Sequence, residues 1–109
     1  MENKIIIKTG KIFNLIDKSE INYVKSERNY SRIFCVATNY IVAKTLADLE
    51  SKLGGGGFIR VNRSTIVNIE KIRRMKELEC NKFVVEMINE EVFHWGRGYK
   101  KKLTELIKI

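Results

Sequence analysis

Phe58–Ile69 reads FIRVNRSTIVNI: apolar Phe58, Ile59, Val61, Ile66, Val67 and Ile69 frame Arg60, Asn62, Arg63, Ser64 and Thr65, with Asn68 near the end. A segment made only for burial would not set Asn, Arg, Ser and Thr in succession. A disordered basic tract would not carry the flanking Val, Ile and Phe. The stretch reads as a donor-rich tip on a buried stem. Asn62, Arg63 and Ser64 form the tip, and Phe58, Val61, Ile66 and Val67 hold it at a fixed height.

Upstream, Ile5–Lys8 and Lys11–Ile16 flank Thr9-Gly10 and predict a hairpin. Ile21, Tyr23 and Val24 begin a third strand that fades into the charged 25–28 segment. Ser31–Ala37 and Tyr40–Lys44 flank Thr38-Asn39, a second hairpin signal. Between the third and fourth strands, Glu27-Arg28-Asn29-Tyr30 is a loop or a strand bend. The period then changes: Leu46, Leu49 and Leu53 recur at helical spacing, and Thr45 can cap the first turn with Asp48 at the third position. Gly54–Gly57 ends that helix as a flexible connector. It is not a phosphate loop, because no Gly-Lys-Ser/Thr follows.

Downstream, after the basic KIRRMK segment (Lys71–Lys76), Phe83, Val85 and Met87 alternate with Val84 and Glu86. Asn89-Glu90 turns the chain, and Val92–Trp95 returns. Tyr99, Leu103, Leu106 and Ile107 fall on one helical face. Many short strands with helices near 45–53 and 98–108 predict a mostly β domain.

A chain of 109 residues, 44% apolar, suits a single domain spanning 1–109 with a packed core. Its 21 Lys and Arg against 13 acidic residues give a net charge of +8, the balance of a protein that meets a polyanion. The excess is regional, which favours an oriented anion-binding face. Residues 60–76 hold six basic groups against Glu70, and 97–109 hold five against Glu105, whereas 77–91 hold five acids against Lys82. Cys35, Cys80 and His94 are too few and too scattered for a zinc site, and Cys35 reads as a small core residue. The expectations are free thiols, no metal and no cofactor. The apolar run Ile5–Ile7 is too short for a signal-peptide core or a membrane span, so a cytoplasmic protein with no membrane partner is expected. With one histidine and no acidic cluster around a nucleophile, the sequence argues against an enzyme.

Several separated motifs, in register from about Ile5 to Ile107, resemble the LytTR DNA-binding domain of bacterial response regulators. They are INYVKSERNYSRI (Ile21–Ile33), YIVAKTLADLESKL (Tyr40–Leu53), FIRVNRSTIVNIEKI (Phe58–Ile72) and a closing strand followed by GRGYKKKL (Gly96–Leu103). The resemblance implies an all-β fold of about ten short strands in three small antiparallel sheets with short helices. It also implies sequence-specific double-stranded DNA binding in transcription regulation, with loops entering successive major grooves. The implied partners are paired direct repeats in promoters, and a homodimer on DNA is compatible with them. A receiver domain would need roughly another hundred residues beyond this chain.

Carried over by position, the resemblance places DNA contacts on Asn29, Tyr30, Ser31 and Arg32, on Asn62, Arg63 and Ser64, and on Arg97 with Tyr99, Lys100 and Lys101. The chain departs from the family pattern twice. Many relatives have histidine where this chain has Asn62, and serine where it has Trp95, which removes a hydroxyl from that position. Chemically, Arg63 and Arg97 can each donate two parallel hydrogen bonds to guanine. Lys100–Lys102 and Arg73-Arg74 suit phosphate, since a point charge on a flexible stem positions more than it discriminates.

Plainer readings stand beside these. Arg60 is open between pairing with an acid beside the core and touching DNA, and Tyr30 is open between support and contact. Phe93 and Trp95 read as core or loop supports, His94 as a solvated strand residue, and Asn68 as a partner for backbone groups at the foot of the stem. Two other functions remain in view. One is a single-strand nucleic-acid binder stacking bases on Tyr30, Tyr40, Trp95 and Tyr99; the other is a protein-interaction module with a basic surface.

Overall fold

Alternation in the first hairpin sends Ile5, Ile7 and Ile16 inward, and β1 (Lys4–Thr9) pairs antiparallel with β2 (Ile12–Asp17) around Gly10. The structure, a computed structural model, describes residues 3–54 and 57–107. Next comes a five-stranded antiparallel sheet in the order β5-β4-β3-β7-β6. Its strands are β3 (Ile21–Glu27), β4 (Tyr30–Cys35), β5 (Asn39–Val42), β6 (Phe58–Asn62) and β7 (Thr65–Asn68). Strands β8 (Ile72–Leu78), β9 (Lys82–Met87) and β10 (Val92–Trp95) form the third sheet, with β9 in the middle. The described residues therefore carry ten strands in three antiparallel sheets, as expected.

Helix α1 (Leu46–Leu53) forms where the leucines changed period. Thr45 Oγ1 accepts from the Asp48 amide at 3.1 Å, and Asp48 Oδ2 accepts from the Thr45 amide at 3.4 Å. This capping box satisfies amide donors at the helix start that have no partner within the helix. Leu46, Leu49 and Leu53 are buried, and the helix closes at Gly54, whose φ of 76° is one that only glycine adopts without strain. Helix α2 (Lys100–Leu106) follows a single tight turn at Arg97–Tyr99 and buries Leu103. The expectation for Gly55, Gly56 and Lys108 falls outside the described residues.

Because neighbouring residues on a strand face opposite ways, the central sheet separates two cores. Ile21, Val24, Ile33 and Ile66 face β1, β2 and α1. Tyr23, Ile59, Val61 and Val67 face the third sheet, meeting Val85, Met87, Phe93 and Trp95, with Leu103 of α2. The Tyr23 ring packs tilted against Phe34 and edge-to-face with Phe93, with centroids 4.7 and 4.8 Å away. Asn68 binds the Ile21 carbonyl at 2.8 Å and accepts from the Glu70 amide at 3.0 Å, the role expected for it.

Two segments differ from what the sequence predicts. Strand β3 runs on through Lys25–Glu27, and β4 begins at Tyr30, so the expected loop shrinks to Arg28-Asn29. Cross-strand pairs Lys25↔Arg32, Ser26↔Ser31 and Glu27↔Tyr30 keep that polar stretch extended. The KIRRMK segment belongs to β8. Its outer charges, Arg74 and Lys76, both reach Glu86 of β9, at 3.1 and 3.8 Å.

Candidate nucleic-acid interface

The β6–β7 tip is built on a register shift between Arg60 and Asn62. A bulge of this kind breaks the two-residue alternation and re-aims side chains. Val61 and Asn62 are consequently both buried, while Arg63 and Ser64 are exposed. Asn62 uses both ends of its amide internally: Nδ2 donates to the His94 carbonyl at 2.9 Å, and Oδ1 accepts from the Ser64 amide and hydroxyl at 2.9 and 3.1 Å. The sequence reading put Asn62 at the tip as a DNA contact; its 4% exposure makes it the bracket beneath the tip instead. Ser64 has already donated its hydroxyl proton to Asn62, so in this arrangement it has only acceptor capacity left, which does not suit a phosphate oxygen.

Arg60 resolves toward support. Its guanidinium donates to the Asn62 carbonyl at 3.1 Å and the Arg63 carbonyl at 2.7 Å, and it pairs with Glu50 of α1 at 3.2 Å. It also lies 5.8 Å from the centroid of the Tyr99 ring. Five fixed donors on one planar group let Arg60 tie helix, tip and third loop together, which a lysine could not do.

The β3–β4 turn presents Arg28, Asn29 and Tyr30 to solvent. Arg28 has a φ of 56°, a left-handed conformation costing a non-glycine residue about 1–2 kcal/mol. Two of the residues expected to touch DNA here have partners within the chain. Ser31 is wholly buried, with Oγ donating to the Lys44 carbonyl at 2.7 Å. Arg32 grips Glu27 with two bonds of 2.9 and 3.1 Å. That grip lowers the Glu27 carboxyl below its ordinary range and raises the Arg32 guanidinium. Asn29 and Tyr30 join Arg28 and Arg63 along one open groove of about 380 Å³. Arg28 stands among them without having been singled out as a contact; the signal was a charged residue at the centre of a two-residue turn.

In the third loop Gly96 donates its amide to the Val61 carbonyl at 2.7 Å, stitching β10 to the β6 stem. A Cβ at Gly96 would sit 3.1 Å from Tyr99 Cδ2 and 3.3 Å from Asn62 Cα, so a side chain there would crowd both neighbours. Trp95 is buried and donates Nε1–H to the Tyr99 carbonyl at 2.8 Å, holding the loop from below as a support. His94 is solvated, as expected. Arg97 and Lys101 are exposed, and Tyr99 is half-buried against Arg60. The Lys100 ammonium is engaged with the Asn81 carbonyl and rests 5.4 Å from the Phe83 ring centroid. It is thus a less free phosphate holder than the sequence suggested. Arg97 and Lys100 line a second concavity of about 680 Å³, separate from the Arg63 groove.

The loops are nonetheless fixed to one another through backbone bonds. Gly96 to Val61 joins the third to the second, and the Ser26 amide to the Ser64 carbonyl, at 3.0 Å, joins the second to the first. The β-scaffold thus fixes three adjoining loops, each with an exposed arginine. The sequence profile of the LytTr DNA-binding domain matches residues 11–108, and the chain belongs to that family. It is 28% identical over 108 residues to the sensory transduction protein LytT of Bacillus subtilis, covering 99% of this chain and 45% of that protein. It is 32% identical over 66 residues to the sensory transduction protein LytR of Streptococcus mutans, covering 61% of this chain and 27% of that one. The CO-responsive transcriptional regulator RcoM of Rhodospirillum rubrum is 27% identical over 82 residues, 75% of this chain and 35% of that protein. The match spans less than half of each relative's own length. Among solved structures, the LytTr DNA-binding domain of a Bacillus cereus response regulator superposes with a TM-score of 0.83 at 20% identity, covering 98% of both chains. That likeness establishes the all-β fold. The family is one of DNA binding, not of catalysis.

Among the described residues no helix is long and apolar enough to cross a membrane.

Proposed function

We propose that this chain reads double-stranded DNA in sequence-specific fashion as the output domain of a bacterial transcriptional regulator, using loops in the major groove. The observation that carries the reading is the stitching of three loops at fixed relative height, with Arg28, Arg63 and Arg97 exposed. Arg63 and Arg97 are the base readers, because a guanidinium held on a rigid stem can meet guanine O6 and N7 together. Asn29, Tyr30, Lys101 and Arg28 hold the backbone, where charge and hydrogen bonding position the domain without reading sequence. Asn62, Ser31, Arg60, Trp95 and Tyr99 set the loops and do not touch the duplex. Arg32 and Lys100 contribute field more than contact. Paired direct repeats, a homodimer on DNA, a receiver domain elsewhere in a longer protein and a cytoplasmic location complete the proposal. They rest on the family and on the names of relatives that are sensory transduction proteins and a transcriptional regulator.

Against a single-strand binder, Trp95 is buried and Tyr40 is half-buried in the first core, leaving Tyr30 as the one broadly exposed ring of the four considered. Successive base stacking needs more than one such face. Selecting bound duplexes from a random pool tests the proposal. A recurrent motif that out-competes both scrambled duplex and its own single strand is expected. Enrichment of no motif, or preference for the single strand, contradicts it.

A further inference from the structure

The outer face of the β1–β2 hairpin is apolar where solvent would favour polar residues. Ile6 lies opposite Leu15 and Lys8 opposite Phe13, with Ile6, Leu15 and Phe13 exposed by 44%, 57% and 62%. Beside it opens a groove of about 360 Å³ between the hairpin, the end of β5 and α1. Val42 and Leu49 form its floor, and Lys8, Lys44 and Lys52 its charged rim. No carboxylate lines it, and among the described residues none of those three lysines forms an ion pair. Such a groove fits aliphatic side chains that arrive beside carboxylates.

The opposite flank of the molecule presents that chemistry. The β9–β10 turn exposes Ile88 and Val92, each about half, on either side of exposed Glu90 and Glu91. Glu86 nearby is already paired with Arg74 and Lys76, whereas Glu90 and Glu91 form no ion pair among the described residues. The turn is rigid before any partner arrives. The Met87 amide donates to the Glu91 carbonyl at 2.8 Å and the Glu90 amide to the Met87 carbonyl at 3.0 Å. Asn89 accepts from the Glu91 amide and donates to the Tyr23 hydroxyl, both at 3.2 Å. Glu90 is held at a φ of 75°, a strained position for a residue with a side chain. A preorganised knob loses little freedom on docking.

We propose that a second copy of this chain seats its 88–92 turn in the groove bounded by Lys8, Lys44 and Lys52. Groove and knob flank different cores on the two faces of the central sheet, so the contact joins two different patches, head to tail. The net charge of +8 on each copy opposes the approach, so association in free solution is weak. The inference stands on the two surfaces and does not depend on DNA being the ligand.

Sedimentation of the chain over a concentration series at physiological salt tests it, using Lys52→Glu and Glu91→Lys. Self-association of the unaltered chain is expected, weakened about ten-fold by either reversal alone. An equimolar mixture of the two variants should associate at least as tightly as the unaltered chain, because each supplies the charge the other has lost. Restoration on mixing also establishes that both variants are folded. The proposal is overturned if the unaltered chain stays monomeric to millimolar concentration. It is equally overturned if the reversals leave association unchanged, or if mixing fails to restore it.

Discussion

Asn62 and Arg63 are neighbours in sequence with opposite environments, and the bulge at Val61 separates them. Alternation applied to FIRVNRST predicts a tip that begins at Asn62, but the register shift turns Asn62 under the loop. A bulge has no signature in a pattern of period two, which is why the stem was legible in the sequence and the inward turn of Asn62 was not. Asn62→Ala should destabilise the fold by about 1–3 kcal/mol, since it strands the His94 carbonyl and the Ser64 amide. It should also cost more on the operator than on an unrelated duplex, because Arg63 loses the bracket that holds its loop. Chemical denaturation and titrations on both duplexes measure these effects. Ser31 was misplaced for a similar reason, because hydroxyls suit both phosphate and a buried carbonyl, and only the fold supplies the Lys44 carbonyl. Cys35 was legible as core. Burial, with Glu20 adding to it, pushes its thiol up to about 11 from the ordinary 9.0. Above pH 9 the unfolded chain loses this proton while the folded one retains it, so stability falls as pH rises toward 11. The loss should be about 2 kcal/mol between pH 8.5 and 11 relative to Cys35→Ala, read from denaturant midpoints.

Among the elements, α1 was the most legible, because leucine spacing, an N-terminal threonine and a following glycine agree. Thr45→Ala removes one half of the capping box and should cost about 1 kcal/mol in unfolding free energy. The third loop was harder to read. Gly96 stands out in the sequence only as the start of GRGYKKKL, not as the point where β10 meets the back of Asn62. Gly96→Ala should lower stability by about 1–3 kcal/mol and shift the NMR amide signals of Val61, Asn62 and Tyr99 together, because the added methyl crowds both loops. Unchanged signals at Asn62 would show that the loops are not coupled through this contact. Strand β8 escaped the residue-level reading because both its faces carry charge, and its hydrogen bonds to β9, not its own alternation, make it a strand.

Across the chain, one sheet between two cores positions a basic, loop-bearing surface, and the regional charge seen in the sequence becomes spatial. The arginines of residues 60–76 separate on folding: Arg60 turns inward, Arg63 outward, and Arg74 to Glu86. Sequence alone counts such charges without showing which are already neutralised. Affinity for duplex should fall steeply with salt, the logarithmic slope dropping by about 0.9 for each phosphate contact removed, so Lys101→Ala should flatten it by about one such step. The most direct test compares Arg63→Ala with Lys101→Ala on a selected operator and on a scrambled duplex at fixed salt. Arg63→Ala should lose about 1–3 kcal/mol on the operator and much less on the scrambled duplex, while Lys101→Ala weakens both equally. Equal loss on both duplexes for Arg63→Ala would contradict base reading by the β6–β7 loop.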